Sequence, residues 1–283
     1  MSGTQFKTWE EAVRWLIAQP DQQDLVRASY YDDPLPTTAA RYWQGEEWAA
    51  VRTLLPATRG RALDVGAGRG IASFALAKEG FTVTALEPDG SALVGAQAIR
   101  SLATASGLPI EVTQEFSERL PFDDRQFDLV FARAVLHHTS DLAAACREFL
   151  RVLKPGGLLI AIREHVISRS EDLPAFLEIH PLHKLYGGEN AFRLEEYQSA
   201  IRAAGFELNQ VLAPLRSPIN FAPHTLDALQ SEVAQRVGRK AYWLTQVVRT
   251  GLRLPGVWPV ARALLEQIDH RPGRLYSFVA RRA

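Results

Sequence analysis

Cysteine is almost missing from this chain: Cys146 is the only one in 283 residues. A lone thiol cannot close an intramolecular disulfide, and it excludes a cysteine-rich metal site or a thiol relay. A reducing cytoplasm is the compartment expected on that ground. Charge bias is missing too, since Lys plus Arg and Asp plus Glu number 32 each, so no global field favours nucleic acid or an anionic membrane surface. No run approaches the roughly 20 apolar residues that a spanning helix needs. The opening Met-Ser-Gly-Thr-Gln-Phe-Lys lacks the apolar stretch of a signal peptide. A soluble protein without a nucleic-acid partner and without membrane insertion is therefore expected. There is no internal repeat and no low-complexity segment.

What is present is an ordinary globular composition, 47% hydrophobic and 23% charged, in a chain long enough for one large α/β domain with an elaboration. Thr8 followed by Glu11, ahead of Val13, Leu16 and Ile17, reads as a capping box that opens a short helix stopping near Pro20. Residues 29–43 mix aromatics with turn formers and read as irregular, after which 46–55 resumes helical spacing. From Arg61 short β-type runs (61–65, 82–86, 110–113, 127–132, 158–163) alternate with helical stretches at 70–78, 91–104 and 140–153, the last stopped by Lys154-Pro155-Gly156-Gly157. Such alternation predicts a parallel sheet covered on both faces. A loop over 165–190, a helix over 194–204 and a strand over 206–212 follow. Helical stretches at 226–237, 242–252 and 260–268 then precede a final strand over 275–280.

The expected fold class is α/β: a Rossmann-like doubly wound sheet of about seven strands, with a helical N-terminal leader and a helical insertion before the last strand. The expected division is a helical and aromatic lid at 1–56, a Rossmann-like core at 57–213, a substrate-covering insertion at 214–272, and the last core strand within 273–283.

The sharpest motif is Ala62-Leu63-Asp64-Val65-Gly66-Ala67-Gly68-Arg69-Gly70, a strand running into a glycine turn that opens a helix. Glycines allow the tight turn and let a ligand reach the backbone amides without a Cβ in the way. Glu87 stands at the end of the second strand, where a carboxylate can accept both ribose hydroxyl protons of a nucleoside. A dinucleotide fingerprint would place its last glycine at Ile71; the spacing Gly66-x-Gly68-x-Gly70 and the acidic Asp64 favour S-adenosylmethionine (SAM) instead. The bland alternative, a packing turn with Glu87 as a solvated charge, does not explain the joint spacing.

Residues 61 to about 164 resemble the class I SAM-dependent methyltransferases, specifically the small-molecule group that includes the ubiquinone and menaquinone methyltransferases. The stretches that carry the resemblance are Leu63-Asp64-Val65-Gly66-Ala67-Gly68-Arg69-Gly70, Ala85-Leu86-Glu87-Pro88, Leu120-Pro121-Phe122-Asp123-Asp124-Arg125-Gln126-Phe127-Asp128-Leu129-Val130, Val135-Leu136-His137-His138 and Arg151-Val152-Leu153-Lys154-Pro155-Gly156-Gly157. By that resemblance Gly66, Ala67 and Gly68 pass under the methionine part of SAM. Asp64 orients the turn and the amino group, and Glu87, followed by Pro88, holds the ribose. The family's adenine-binding loop departs from its usual Asp-Ala-x-x-Leu-Pro-Phe here, reading Gln114-Glu115-Phe116-Ser117-Glu118-Arg119; Glu115 and Phe116 are the candidates for that contact. Arg133 occupies the position where the family's backbone meets SAM. The product would be S-adenosylhomocysteine.

Methyl transfer is an in-line displacement at a sulfonium carbon, so it depends on positioning, with a base added when the nucleophile is a hydroxyl. His137 and His138 follow the fourth strand and His165 follows the fifth, at the sheet edge where open α/β folds bind ligands. An imidazole suits removal of a hydroxyl proton, although one member of such a pair commonly packs or caps the next helix. His180 and His183 stand in a loop with no adjacent carboxylate or thiol, so no metal site is expected.

Tyr30, Tyr31, Tyr42 and Trp43 either close over a ligand or pack the leader on the core; Tyr186 precedes a hinge-like Gly187-Gly188; Trp243 and Trp258 suit core or interface positions. Nucleic-acid amino methylation is disfavoured because Ala132-Arg133-Ala134-Val135 replaces the required Asn/Asp-Pro-Pro-aromatic run. The metal-dependent catechol type is disfavoured because only Glu164 offers an acidic ligand after strands four and five. The expected activity is transfer of a methyl group from SAM to a small-molecule acceptor, with oxygen preferred and a sugar, polyketide or quinone-like metabolite as the acceptor class. Carbon or nitrogen methylation and a non-catalytic SAM-binding protein are the alternatives, and a homodimer is left open.

Overall fold

A computed structural model describes residues 8–239 and 242–283. Residues 1–7, the start of the expected N-terminal lid, and 240–241 lie outside the described residues. The capping box forms as expected: the Thr8 hydroxyl accepts from the Glu11 amide at 3.2 Å and the Glu11 carboxylate accepts from the Thr8 amide at 3.1 Å. It opens α1 (Trp9–Ile17), which buries Ala12, Val13 and Leu16. After α2 (Gln23–Ala28), the stretch read as irregular instead contains α3 (Leu35–Gln44), and α4 (Glu46–Arg52) follows. The prolines there do not break the helix, because Pro36 sits in its first turn, where no intrahelical N–H bond is lost. Thr38, Ala39 and Tyr42 then share one face and are buried.

The central layer is built from β1 (Arg61–Val65), α5 (Ile71–Lys78), β2 (Thr82–Leu86), α6 (Ala96–Ser106), β3 (Ile110–Thr113), β4 (Phe127–Arg133), α7 (Leu142–Val152) and β5 (Leu153–Ile167). There follow α8 (Leu173–Ile179), α9 (Pro181–Leu185), β6 (Phe192–Arg193), α10 (Leu194–Ala204), β7 (Phe206–Leu212), α11 (Pro218–Phe221), α12 (Leu226–Val237), α13 (Tyr242–Leu252), α14 (Val257–Ile268) and β8 (Arg274–Arg282). The sheet runs β3-β2-β1-β4-β5-β8-β7, parallel through β5, with β8 antiparallel between β5 and β7 and the short β6 paired to β5. The expected α/β, Rossmann-like sheet is therefore present. Strand β5 starts earlier than expected: Leu153 pairs with Phe127, a register shift follows, and Leu158 then pairs with Leu129. The Lys154-Pro155-Gly156-Gly157 run thus lies within the strand's irregular start.

Apolar layers cover both faces. On one, Cys146 and Phe149 of α7 and Tyr197 and Ile201 of α10 pack on the sheet. On the other, Tyr42, Trp48, Phe74 and Leu76 bring α3, α4 and α5 together. Burial pushes the Cys146 thiol up to about 12, so it behaves as a small core side chain. Helices α12 to α14 gather a smaller core of Phe221, Leu229, Leu252 and Trp258. Among the described residues no helix is long and apolar enough to cross a membrane.

Candidate active site

The strand order reverses between β1 and β4, because β2 and β3 build outward on one side and β5 on the other. In an open α/β sheet this switch leaves a crevice beyond the carboxyl ends of the strands. A cavity of about 640 Å³ lies there, and Asp64, Gly66, Ala67, Gly68, Glu87, Pro88, Glu115, Phe116, Arg133, His137, His138 and His165 all line it. The fold thus brings together every residue singled out for the site.

At one end is the glycine turn. Gly66 and Gly68 adopt φ of +59° and +53°, the left-handed region that disfavours other residues. A Cβ on Gly66 would lie 2.7 Å from a Val135 methyl, whereas one on Gly68 would meet nothing within 4 Å; the backbone over Gly68 is open for a ligand to approach. Glu87 buttresses the turn, accepting from the Gly68 amide at 2.7 Å and the Asp89 amide at 2.9 Å. Burial raises its pKa, and its remaining lone pairs are free to accept from a diol. Asp64 is buried, accepts from the Ser73 hydroxyl at 2.5 Å, and is pushed by burial up to about 7. The Arg69 guanidinium ties the leader to this turn: it donates to the Tyr30 and Asp32 carbonyls at 3.1 and 3.2 Å and to Asp33 at 2.5 Å. Its Nε is buried with no partner. Phe116 stands 65% exposed at the rim.

Along the wall, the Arg133 side chain forms a bidentate pair with Glu47 at 2.7 and 3.1 Å and sits 5.3 Å from each of the Tyr30 and Tyr42 rings. The leader aromatics therefore divide. Tyr30 and Tyr31 line the cavity. Tyr42 is fully buried in the core, and the Trp43 indole donates at 2.9 Å to Glu79, just past the end of α5.

The histidines occupy the other end. His137 Nδ1 lies 2.6 Å from Glu164, whose buried carboxylate also accepts the Val135 and His137 amides at 3.1 Å each. His138 Nδ1 lies 3.0 Å from the Gly188 carbonyl and His165 Nδ1 3.0 Å from the Gly273 carbonyl. Ring centroids are 4.2 Å apart for His137 and His138, 4.8 Å for His137 and His165, and 5.0 Å for His165 and His180. Burial alone would lower His137, but the Glu164 and Glu189 carboxylates outweigh it and carry it up to about 9. Burial and the charge of His137 take His165 down to about 3 and lower His138. Burial opposes the charge of Glu189, yet the surrounding histidines hold it at about 2. The Glu164 carboxylate behind Nδ1 holds the His137 ring in place.

The helices expected to cover the substrate do not line this cavity. None of the described residues in 214–272 lines the cavity; Trp9, Leu25, Tyr30, Tyr31 and the 180–189 segment close it instead. Helix α11 is tied to β5, where Arg163 donates to the Ile219 and Ala222 carbonyls at 2.9 Å each, and α12 to α14 pack around a core of their own. Glu47, Arg163 and Glu189 were not singled out beforehand. Nothing in their local spacing marks them, since each meets its partners only through the fold.

Residues 63–161 match the family described as methyltransferase domain. The chain is 36% identical over 153 residues to the ubiquinone biosynthesis O-methyltransferase of Methylobacterium nodulans, covering 54% of this chain and 56% of that enzyme. It is 35% identical over 150 residues to the 2-methyl-6-phytyl-1,4-hydroquinone methyltransferase of a Synechocystis species, covering 48% of this chain and 43% of that one. The chain thus spans about half the length of these curated relatives. Among solved structures, the S-adenosylmethionine-dependent methyltransferase from Mesorhizobium loti superimposes with TM-score 0.53 at 19% identity, covering 85% of this chain and all of that one (100%). The cyclase SpnF superimposes with TM-score 0.54 at 23% identity, covering 87% and 80%; these two likenesses establish the fold. With the glycine turn, Glu87 and the switch-point cavity in place, residues 63–161 form a methyltransferase domain of the class I, SAM-dependent family, resembling the quinone methyltransferases.

Proposed function

We propose that this cavity binds SAM over the Gly66–Gly68 turn and delivers its methyl group to a small-molecule acceptor, through oxygen. The observation that carries the reading is the continuity of the cavity, with a glycine turn and Glu87 at one end and a cluster of imidazoles at the other. The residues fit the cofactor. The open space over Gly68 admits the methionine chain, Glu87 has lone pairs for the ribose diol, and the unpartnered Arg69 Nε is a donor suited to the carboxylate. Asp64 lies beneath the turn, where it suits the cofactor's amino group. SAM supplies an electrophilic methyl on a sulfonium; the chain supplies position, exclusion of water and handling of the acceptor's proton.

The acceptor would lie between Tyr30, Tyr31 and the His138 and His165 rings, with the imidazole group assisting loss of the hydroxyl proton. The names of the two relatives, a ubiquinone biosynthesis O-methyltransferase and a hydroquinone methyltransferase, favour a phenolic or quinone-like acceptor. Carbon methylation is the second reading, favoured by the hydroquinone relative, whose name specifies no oxygen. A SAM-binding protein without transfer is the third, because a protein of the same fold is named a cyclase. Calorimetric titration with SAM, followed by detection of S-adenosylhomocysteine with phenolic acceptors supplied, tests the proposal. Saturable binding and acceptor-dependent product are expected. Absence of SAM binding overturns it, and binding without product under any acceptor supports the non-catalytic reading.

A further inference from the structure

The imidazoles and Glu189 come from separate stretches of chain, yet their side chains are oriented as metal ligands are. A carbonyl only accepts, so at His138 and His165 the carbonyls of Gly188 and Gly273 require a protonated Nδ1 and leave the lone pair on Nε2. At His137 the Glu164 carboxylate plays the same part at 2.6 Å. A carboxylate or carbonyl behind Nδ1 is what fixes the tautomer and ring direction of a metal-ligating histidine.

Glu189 closes the group from the opposite side. Its carboxylate lies 3.7 Å from Nε2 of His137, 3.7 Å from Nε2 of His138 and 3.8 Å from Nδ1 of His180. These separations are too long for direct hydrogen bonds. Within the set that converges, the 3.7 Å between His137 Nε2 and Glu189 is close to the edge, roughly 3.4 Å, of a tetrahedron whose nitrogen and oxygen corners lie about 2.0–2.1 Å from a central ion. One ligand atom from each of His137, His165 and Glu189 lies within 4.8 Å of the other two. The Glu189 side chain is only 10% exposed, so its carboxylate is held among the imidazoles rather than in solvent.

We infer that His137, His165 and Glu189 form a binding site for one divalent transition-metal cation of the zinc class, with a further coordination position open to the cavity. Two imidazoles and one carboxylate with an open position is a donor set that zinc accepts together with an added oxygen ligand; magnesium and calcium favour oxygen-only shells. Glu164 is a positioning residue behind His137. The expectation of no metal weighed the lone cysteine, the acidic residues after strands four and five, and His180 with His183; the last offers His180 only its backbone amide, at 3.3 Å.

Resting on the methyl-transfer reading above, the open position would take the acceptor's hydroxyl oxygen. Coordination lowers its pKa and the proton leaves to solvent. The oxygen lone pair then forms the C–O bond as the C–S bond of the sulfonium breaks, leaving neutral S-adenosylhomocysteine.

The test uses chelator-treated full-length protein with Zn²⁺ or Co²⁺ alone, without SAM or acceptor. One Zn²⁺ per chain is expected by calorimetry, and Co²⁺ should give the visible absorption of a low-coordinate nitrogen and oxygen site. His165→Ala and Glu189→Gln should each weaken Zn²⁺ binding by at least about 10-fold with circular dichroism unchanged. His224→Ala and His270→Ala, outside the cluster, should leave it intact. Absence of stoichiometric binding in the wild type, or binding that survives both cluster substitutions, overturns the site. Should His165→Ala fail to fold, Glu189→Gln decides. SAM binding measured on the same samples separates the two proposals, since either can fail while the other holds.

Discussion

The two ends of the cavity are built differently. The glycine-turn end is made from one contiguous β1-α5-β2 unit, and much of its recognition uses backbone: left-handed Gly66 and Gly68, the Gly68 amide, and the Glu87 carboxylate that braces it. The histidine end is assembled from the chain at 135–138, 164–165, 180–189 and 273, through side chains that meet only in three dimensions. A backbone-built site imposes glycine spacing on the sequence. A side-chain site assembled from distant loops imposes none, which leaves it free to differ between proteins that share the first end.

Breaking the glycine-turn end should have the largest effect. Gly66→Val places a β-branched side chain at φ +59° and against Val135 at 2.7 Å, so SAM binding should become undetectable by calorimetry. Next comes the wall between the two ends. Glu47→Gln leaves the Arg133 guanidinium without its charge partner in a site where Glu47 is 3% exposed. Breaking such a buried pair should cost about 3–5 kcal/mol in denaturant unfolding. Glu87→Gln should keep the fold but weaken SAM about 10-fold or more, through loss of charge-assisted hydrogen bonds of about 1.5–3 kcal/mol each. Zn²⁺ binding in that variant should be unchanged, which separates one end from the other.

A pH experiment sharpens the same contrast. Burial raises Asp64 to about 7 from an ordinary value of 3.8, so the folded state keeps a proton that the unfolded chain releases. Its stabilising contribution is full below 3.8 and is lost as pH rises to about 7, flattening above. Asp64→Asn should remove that part of the slope in melting temperature against pH. SAM acts in the opposite sense, because a cationic ligand favours the carboxylate. Titrations near pH 6 in two buffers of different ionisation enthalpy should therefore show proton release in the wild type and less of it in Asp64→Asn. The smallest effect is expected for Phe116→Ala, where one exposed ring of about 0.5–1.5 kcal/mol is lost and SAM affinity should fall only several-fold.

This contrast also explains what was legible beforehand. The strands, the Thr8 capping box and the Asp64 to Glu87 end of the cavity follow from period, caps and glycine spacing, which are local properties. Helix α3 was missed because Pro34 and Pro36 look like turn formers until Pro36 is placed in a first turn. Helical character over 214–272 reports elements and not what they pack against; their apolar residues gather in a core of their own. Glu189 follows Gly187-Gly188 in a stretch with no periodicity, and only the approach of β4, β5 and α9 gives it partners.

The most direct measurement is a crystal structure of the full chain with S-adenosylhomocysteine. The homocysteine chain is expected over Gly66 to Gly68 and the ribose hydroxyls on Glu87, with the sulfur facing the end of the cavity that holds His137, His165 and Glu189. A nucleoside bound elsewhere, or a sulfur turned away from the histidines, would contradict the assignment of this cavity as the site of methyl transfer.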